Sequence, residues 1–204
     1  MLKNKARICV FVSGGGTNLQ ALIDAQNSGI IKNGEIVLVL SSNREAYALE
    51  RAKKANIPGV SVVKKEFPSQ MDFENKVIDI LNENKIDLIV LAGFMTILTE
   101  HFTSKYPKRI INVHPALIPS FCGKGFYGLH VHEAALEYGV KVSGATVHFV
   151  NEIPDGGEII LQKAVNVKNG DTPETLQRRI MEQAEWKILP KAVELVSKDI
   201  AKNK

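Results

Sequence analysis

Two polar side chains near the middle of the chain have the types and the spacing that acyl-group chemistry needs. Asn112 and His114 are two residues apart at the end of the β-branched run 110–113. On a strand they point to the same side, so both can address one substrate atom. An amide donates a hydrogen bond to a developing oxyanion, and an imidazole exchanges a proton near neutral pH. Spacing alone leaves open a plainer interpretation, in which the pair caps a loop.

Asp155 is the candidate carboxylate for such a group. It follows Pro154 and precedes two glycines, and by itself this sequence needs no function because Asp and Gly form tight turns readily. A carboxylate beside a catalytic histidine would orient the imidazole and raise its pKa. His148, on an earlier apolar run, either faces the same site or is a histidine of the core.

A glycine run near the amino terminus predicts an anion site. It lies between an apolar run and a segment of helical period, where free backbone N–H groups and the helix dipole favour a phosphate. It matches neither the dinucleotide fingerprint nor the P-loop. The alternative is a flexible turn capped by its last residues. The candidate residues are Gly14, Gly15, Gly16, Thr17 and Asn18.

Other polar residues carry weaker signals. His130 and His132 are two apart with Glu133 adjacent, but at a helix start they face different directions and lack a third spaced ligand. We therefore predict no metal site. On helical periodicity alone, Glu185 is a surface acid beside the packing residue Trp186.

The elements that must position these residues alternate along the first half of the chain. Short apolar runs, typical of strands covered on both faces, are separated by segments of helical period. This alternation predicts an α/β fold with a doubly wound, mostly parallel sheet and helices on both faces. The predicted strands are 7–12, 35–40, 60–63, 87–91 and 110–113, and the helices between them are 18–28, 45–55 and 71–84.

The second half of the chain is less regular. Residues 114–128 are rich in proline and glycine and predict a working loop or a lid. A helix over 131–138 and strands over 145–150 and 158–167 follow, the strands joined by a tight, exposed turn. The final helix begins with Asp171 or Thr172 as cap and Pro173 at its first position. Pro190 is a candidate break in it.

Composition limits the class of protein. The 204 residues are 45% hydrophobic and 24% charged, which predicts a globular chain with a single domain, 1–204, and a short basic C-terminal tail. The net charge of +4 is spread along the sequence, so neither nucleic acid nor a membrane is an expected partner. Two separate cysteines, Cys9 and Cys122, fit a reducing cytoplasm.

Five segments together resemble the folate-dependent formyltransferase family. Two of them, Asn-Val-His-Pro at 112–115 and Leu-Ala-Gly-Phe-Met at 91–95, are shared widely in that family, including methionyl-tRNA formyltransferase and formyltetrahydrofolate deformylase. In order and spacing, the full set is similar to the glycinamide ribonucleotide formyltransferases. The length of the chain leaves no room for the additional domains of the other two classes, so we expect the purine acceptor. The remaining segments are 13–19, 144–148 and 155–157.

The resemblance implies a function and a set of site residues. Asn112, His114 and Asp155 would be catalytic, and a phosphate of glycinamide ribonucleotide would bind the glycine run with Glu185 near its amide end. No metal or tightly bound cofactor is implied, and the chain would act as a monomer or homodimer. The co-substrate 10-formyltetrahydrofolate would lie near Asn112 and along Met95, Thr96, Ile97 and Leu98.

Two departures from the family pattern affect the details. Thr96 stands where an arginine is common, and residues 120–127 form a longer loop. Partners of the folate tail therefore stay open, with Lys64 or Lys65 as candidates, while Lys124 or Tyr127 would shape the substrate entrance. Three alternatives remain: a formyltetrahydrofolate hydrolase, a formyltransferase acting on another amine, and a binding module for folate or a phosphate ligand.

Overall fold

The computed structural model describes residues 5–204, whose strands form one seven-stranded sheet in the order β3-β2-β1-β4-β5-β6-β7. The first five strands are mutually parallel, and β6 and β7 add to the edge in antiparallel fashion. The predicted mostly parallel sheet is confirmed. The strands are β1 Ala6–Val12, β2 Gly34–Ser41, β3 Gly59–Ser61, β4 Leu88–Leu91, β5 Ile110–His114, β6 Val142–Phe149 and β7 Ile159–Asn166.

Helices cover both faces of the sheet, as the alternating pattern predicts. A short 3-10 turn, Lys64–Glu66, and a π-helical turn, Met181–Glu185, interrupt the regular elements. None of the helices within residues 5–204 is long and apolar enough to cross a membrane. The helices are α1 Thr17–Asn27, α2 Tyr47–Lys54, α3 Gln70–Glu83, α4 Glu100–Thr103, α5 His130–Tyr138, α6 Pro173–Ile180 and α7 Trp186–Lys202.

The carboxyl-terminal helices begin as predicted, but they lack the predicted break at Pro190. Thr172 caps α6 and forms a reciprocal capping box with Thr175, which satisfies two backbone donors of the first turn. The expected break at Pro190 is absent, because α7 continues through this residue. Ile188, Leu189 and the residues after Pro190 bury one face of α7 in the core, and this packing offsets the backbone hydrogen bond that a proline removes.

Alternation along β1 divides the core into two layers. Ile8 and Val10 face the cluster formed with α1, α2, α6 and α7. Cys9 and Phe11 face the opposite cluster, which α3 and α4 complete. Successive side chains on a strand point to opposite faces, so one continuous apolar run supplies both layers.

The layer of α3 and α4 stops short of the antiparallel edge. From β5 it includes Ile110, and from β6 it includes no buried residue. The next residues of these strands on that face are polar. Cross-strand pairing sets Asn112 opposite His148 and His114 opposite Thr146. No helix covers this part of the face within the part of the chain that the structure describes, so its polar side chains are free to form a site.

Candidate active site

A carboxylate, an amide and two imidazoles meet on the face of β5 and β6 that the helices leave bare. The Asp155 Oδ1 atom is 3.5 Å from Asn112 Nδ2 and 3.5 Å from His148 Nε2. Its Oδ2 atom is 3.6 Å from His114 Nδ1, and Asn112 Nδ2 is 3.2 Å from His148 Nε2. The structure thus brings together the three residues predicted as catalytic and adds His148.

Backbone geometry turns Asp155 inward from an otherwise exposed turn. The residue adopts a left-handed conformation with φ 56°, and its side chain is 15% exposed although most neighbouring residues of the turn are exposed. Gly157 permits this path, since a Cβ atom there would be 1.8 Å from the Phe149 carbonyl oxygen. Asp155 Oδ2 also accepts a hydrogen bond of 2.9 Å from the Gly123 N–H. The carboxylate therefore joins the β6–β7 turn to the irregular segment 115–128.

That irregular segment is tied to the sheet by Thr146. Its hydroxyl donates to the Ala116 carbonyl at 2.7 Å and accepts from the Ile118 N–H at 3.1 Å. Farther along the segment, the Phe121 carbonyl accepts a hydrogen bond of 2.8 Å from His114 Nε2. The predicted loop thus lies directly over the catalytic candidates and limits their contact with water.

Burial controls the protonation of this cluster. Burial lowers the pKa of His114, and the neighbouring Asp155 charge and Phe121 carbonyl oppose this effect without reversing it. The expected rise in the pKa of His114 is therefore wrong in net direction, because loss of hydration outweighs the carboxylate. For Asp155, burial alone would raise the pKa, but the His148 and His114 side chains and the Gly123 N–H bring it below its ordinary value. Asp155 is an anion at neutral pH.

The glycine run forms an open loop at the start of α1. Side chains added at Gly14 or Gly15 would meet no atom within 4 Å, whereas Gly16 has φ 71° and lies against Ala48. No side chain caps α1, so neither Thr17 nor Asn18 has the capping role that the alternative interpretation gave them. Uncapped helix N–H groups beside open space suit an anion.

Glu185 lies at the base of this loop and is not a surface acid. It is 6% exposed, and its Oε2 atom accepts a 2.6 Å hydrogen bond from Asn18 Nδ2. Burial raises the pKa of Glu185 to about 6, although the Asn18 hydrogen bond opposes this rise. The π-helical turn that contains Glu185 changes the phase of the helix, and for this reason helical periodicity misplaced it.

The segment Met95 to Leu98 begins beside the glycine loop. The Met95 N–H donates a 2.9 Å hydrogen bond to the hydroxyl of Ser13, the residue before Gly14. Met95 and Ile97 are 56% and 70% exposed, while Leu98 is buried in the core. The segment therefore exposes two large apolar side chains within three residues. Thr96 separates them.

Several other candidates form no hydrogen bond or ion pair with the cluster in the described part of the chain. His130 is exposed and pairs with Glu133 at 2.9 Å, whereas His132 is fully buried and burial lowers its pKa to about 4. The two histidines face different directions, as predicted, and residues 5–204 contain no group of three or more His, Cys, Asp or Glu residues arranged so that they could hold a metal ion. Lys64 and Lys65 belong to the 3-10 turn, and Lys124 and Tyr127 are exposed on the irregular segment.

Comparisons with known proteins identify relatives over nearly the whole chain. The family model described as formyl transferase matches residues 6–193. The phosphoribosylglycinamide formyltransferase of Haemophilus influenzae is 42% identical over 184 residues, which are 90% of this chain and 84% of that protein. The human trifunctional purine biosynthetic protein adenosine-3 is 44% identical over 195 residues. These residues are 96% of this chain, but the chain spans only 19% of the length of that protein.

A solved structure of similar sequence also has the same fold. Glycinamide ribonucleotide transformylase 1 from Symbiobacterium toebii superimposes with a TM-score of 0.89 at 41% identity, covering 96% of this chain and 89% of that one. The fold, the polar cluster and the sequence relatives lead to one conclusion: this chain belongs to the formyl transferase family.

Proposed function

We propose that this protein transfers the formyl group of 10-formyltetrahydrofolate to the amine of glycinamide ribonucleotide, giving formylglycinamide ribonucleotide and tetrahydrofolate in purine biosynthesis. One observation carries the proposal. In a member of the formyl transferase family, the Asp155 carboxylate lies within 3.6 Å of both the Asn112 amide and the His114 imidazole.

The geometry supports acyl transfer through a tetrahedral intermediate. The acceptor amine attacks the formyl carbon, a C–N bond forms, and an electron pair moves to the formyl oxygen. Asn112 and His114 donate hydrogen bonds to this oxyanion. When the intermediate collapses, the bond to N10 of the folate breaks, N10 takes a proton and the amine loses one. Asp155 holds the imidazole in orientation throughout.

His114 Nε2 donates a hydrogen bond of 2.8 Å to the Phe121 carbonyl, so a formyl oxygen that displaced this carbonyl would receive the same hydrogen bond. His148 would keep the Asn112 amide in place: its Nδ1 atom is 2.8 Å from the Phe149 carbonyl. With the proton on Nδ1, its Nε2 atom accepts from Asn112.

Two surfaces next to the cluster are assigned to the substrates. Folate would lie along Met95, Thr96, Ile97 and Leu98, with the pterin ring against main-chain groups and the exposed Met95 and Ile97 side chains beside it. The phosphate of glycinamide ribonucleotide would bind at the glycine loop, where α1 has no cap. Asn18 and the buried Glu185 carboxylate would then face the amide end of this substrate. We expect no tightly bound cofactor, a cytoplasmic location, and a monomer or homodimer.

The test is a coupled assay of the purified protein with 10-formyltetrahydrofolate, with and without glycinamide ribonucleotide. We expect tetrahydrofolate and formylated nucleotide to appear in equal amounts, and only when the nucleotide is present. Release of formate at the same rate without the nucleotide would make the protein a hydrolase instead. Turnover with a different amine but not with glycinamide ribonucleotide would keep the chemistry and change the acceptor.

A further inference from the structure

The segment from Gly93 to Leu98 takes its shape from side chains of other elements. Within residues 5–204, its N–H and C=O groups form no hydrogen bond to other backbone groups, although Ala92 before it and Thr99 after it do. Three hydrogen bonds from side chains reach this segment or its immediate end instead. Such a segment keeps one conformation only as long as those side chains hold it.

Glu74 on α3 holds the carboxyl-terminal end of the segment. This side chain is fully buried, and its Oε1 atom accepts 2.7 Å hydrogen bonds from the Thr99 N–H and from Gln70 Nε2. Its Oε2 atom accepts from the Thr99 hydroxyl at 2.7 Å. Gln70 Nε2 also donates to the Ile97 carbonyl at 3.1 Å. The Glu74 carboxylate therefore organises both Thr99 and the side chain that holds Ile97.

The burial of this carboxylate is costly and therefore informative. A buried charge destabilises a protein unless hydrogen bonds or an opposite charge compensate it. No Lys or Arg among residues 5–204 forms an ion pair with Glu74. Its compensation comes from three donors, and two of these belong to Thr99. Glu74 thus depends on the position of the segment, and the segment depends on Glu74.

Ser13 holds the amino-terminal end. Its hydroxyl oxygen accepts from the Met95 N–H at 2.9 Å and lies 2.6 Å from the Ser42 hydroxyl. Because Ser13 immediately precedes Gly14, this one oxygen connects the Met95 segment to the glycine loop. One end of the segment is therefore fixed to the residue that follows β1, and the other end is fixed to α3 through Glu74 and Gln70.

We propose that Glu74 and Ser13 are positioning residues for the folate co-substrate, acting through the main chain of residues 95–99. The inference rests on the proposed function, which places the pterin ring against main-chain groups of this segment. Recognition by main-chain groups depends on their placement, and a displacement of about 1 Å at a binding group is enough to weaken it strongly. Neither Glu74 nor Ser13 needs to touch the folate.

The experiment compares Glu74→Ala with Glu74→Gln by steady-state kinetics. Glu74→Ala leaves the Thr99 donors unpaired, and we expect the KM for 10-formyltetrahydrofolate to rise about tenfold. The KM for glycinamide ribonucleotide should change less than about twofold. Glu74→Gln keeps an oxygen for the Thr99 N–H, and its NH₂ group donates to the Thr99 hydroxyl. It should restore the folate KM to within about threefold of the wild-type value.

Val77→Ala is the matched control for loss of packing in α3. Val77 lies one turn from Glu74 and is fully buried in the core, so its truncation weakens the same helix without removing a donor or acceptor. We expect a lower thermal midpoint and an unchanged folate KM. A folate KM raised as much by Val77→Ala as by Glu74→Ala would show that general weakening of α3 is the cause, and would overturn the inference.

Ser13→Ala tests the other end and keeps the inference testable if Glu74→Ala does not fold. It removes the acceptor of the Met95 N–H, and we expect a folate KM about threefold higher. An unchanged folate KM in a folded Glu74→Ala protein, or in Ser13→Ala when the first variant is unfolded, overturns the inference.

A wild-type protein without nucleotide-dependent turnover would contradict the proposed function separately. In that case, calorimetric titration with tetrahydrofolate would compare the same variants. Weaker binding by Glu74→Ala than by Val77→Ala would support the positioning role. Equal binding by the two variants, or no binding by the wild type, would overturn it.

Discussion

The two ends of one sheet face differ in what covers them. Beneath α3 and α4, the strands β1, β2 and β4 present buried apolar side chains such as Phe11 and Leu40. On the same face, β5 and β6 present Asn112, His114 and His148, and segments without regular structure lie over them. A helix excludes water with an apolar stripe, whereas a loop brings its own carbonyl and N–H groups to the sheet.

This difference separates stability from chemistry within one sheet. The helix-covered region gains stability from apolar burial, which is roughly proportional to the area removed from water. The loop-covered region buries polar groups that need partners, and the partners are the Phe121 carbonyl, the Gly123 N–H and the Asp155 carboxylate. A substrate that replaces one of these hydrogen bonds with its own leaves no buried polar group unpaired.

The largest expected effect is on turnover. His114→Ala should lower kcat about a thousandfold, because it removes a donor to the oxyanion and a proton-transfer group together. Its free energy of unfolding should fall by about 1 to 2 kcal/mol, since truncation of this buried side chain leaves the Phe121 carbonyl and the Asp155 carboxylate without their imidazole partner. Steady-state kinetics and urea denaturation of the same preparation measure both quantities.

His101→Ala is the matched control for this substitution. His101 lies on α4 and contacts Asn75 at the surface, so its removal should leave kcat within about twofold of the wild-type value. A His114→Ala protein that retains normal kcat would remove His114 from the catalytic group, whatever its stability.

The second prediction concerns the helix-covered region, where a substitution should affect stability and not turnover. Leu81→Ala truncates a nearly fully buried side chain of α3 and should lower the free energy of unfolding by about 3 kcal/mol. At a temperature where the protein stays folded, kcat should remain within about twofold. Large losses of kcat in the folded Leu81→Ala protein would mean that the helix-covered region also shapes the transition state, and the division would be too simple.

The third prediction concerns the carboxylate of the cluster. Asp155→Asn should lower kcat about a hundredfold by removing the charge that orients His114. Asp155 raises the pKa of His114 against the effect of burial, so the substitution should move the titration of His114 to lower pH. NMR titration of the His114 ring in both proteins measures this shift. A ring titration that stays in place, or moves to higher pH, would contradict coupling between the two residues.

Sequence periodicity is sufficient to predict strands and helices where their packing is regular. The runs of β1, β2 and β4 are apolar on both faces because helices cover both sides of these strands, and such runs are recognisable without a structure. The same-side placement of Asn112 and His114 follows from the period of a strand. The place of His148 could not be predicted in this way. It joins the cluster through its pairing with Asn112, and the register of antiparallel strands is not visible in either segment alone.

Periodicity also could not place residues whose side chains are positioned by local irregularities of the backbone. Asp155 reaches the cluster through a left-handed backbone conformation, which a non-glycine residue adopts rarely. Only the resemblance to a family indicated that this turn residue had a role. Glu185 follows four residues of π-helix, and the additional residue in such a turn rotates every later side chain relative to an uninterrupted α-helix.

The smallest predicted effect concerns Glu185 and depends on pH. Burial raises its pKa from 4.5 to about 6, so between these values the folded protein binds more protons than the unfolded chain. The free energy of unfolding therefore falls as pH rises through this window, by about 2 kcal/mol at about 1.4 kcal/mol per pH unit. Glu185→Gln keeps an acceptor for Asn18 but does not titrate.

Its stability relative to the wild type should consequently increase between pH 4.5 and 7, measured as the difference between urea denaturation curves at the two values. A difference that stays constant with pH would show that Glu185 ionises in the folded protein at the same pKa as in the unfolded chain. Binding of the phosphate substrate should respond in the same window, because ionisation of Glu185 changes the charge beside the α1 amino terminus, where an anion would bind.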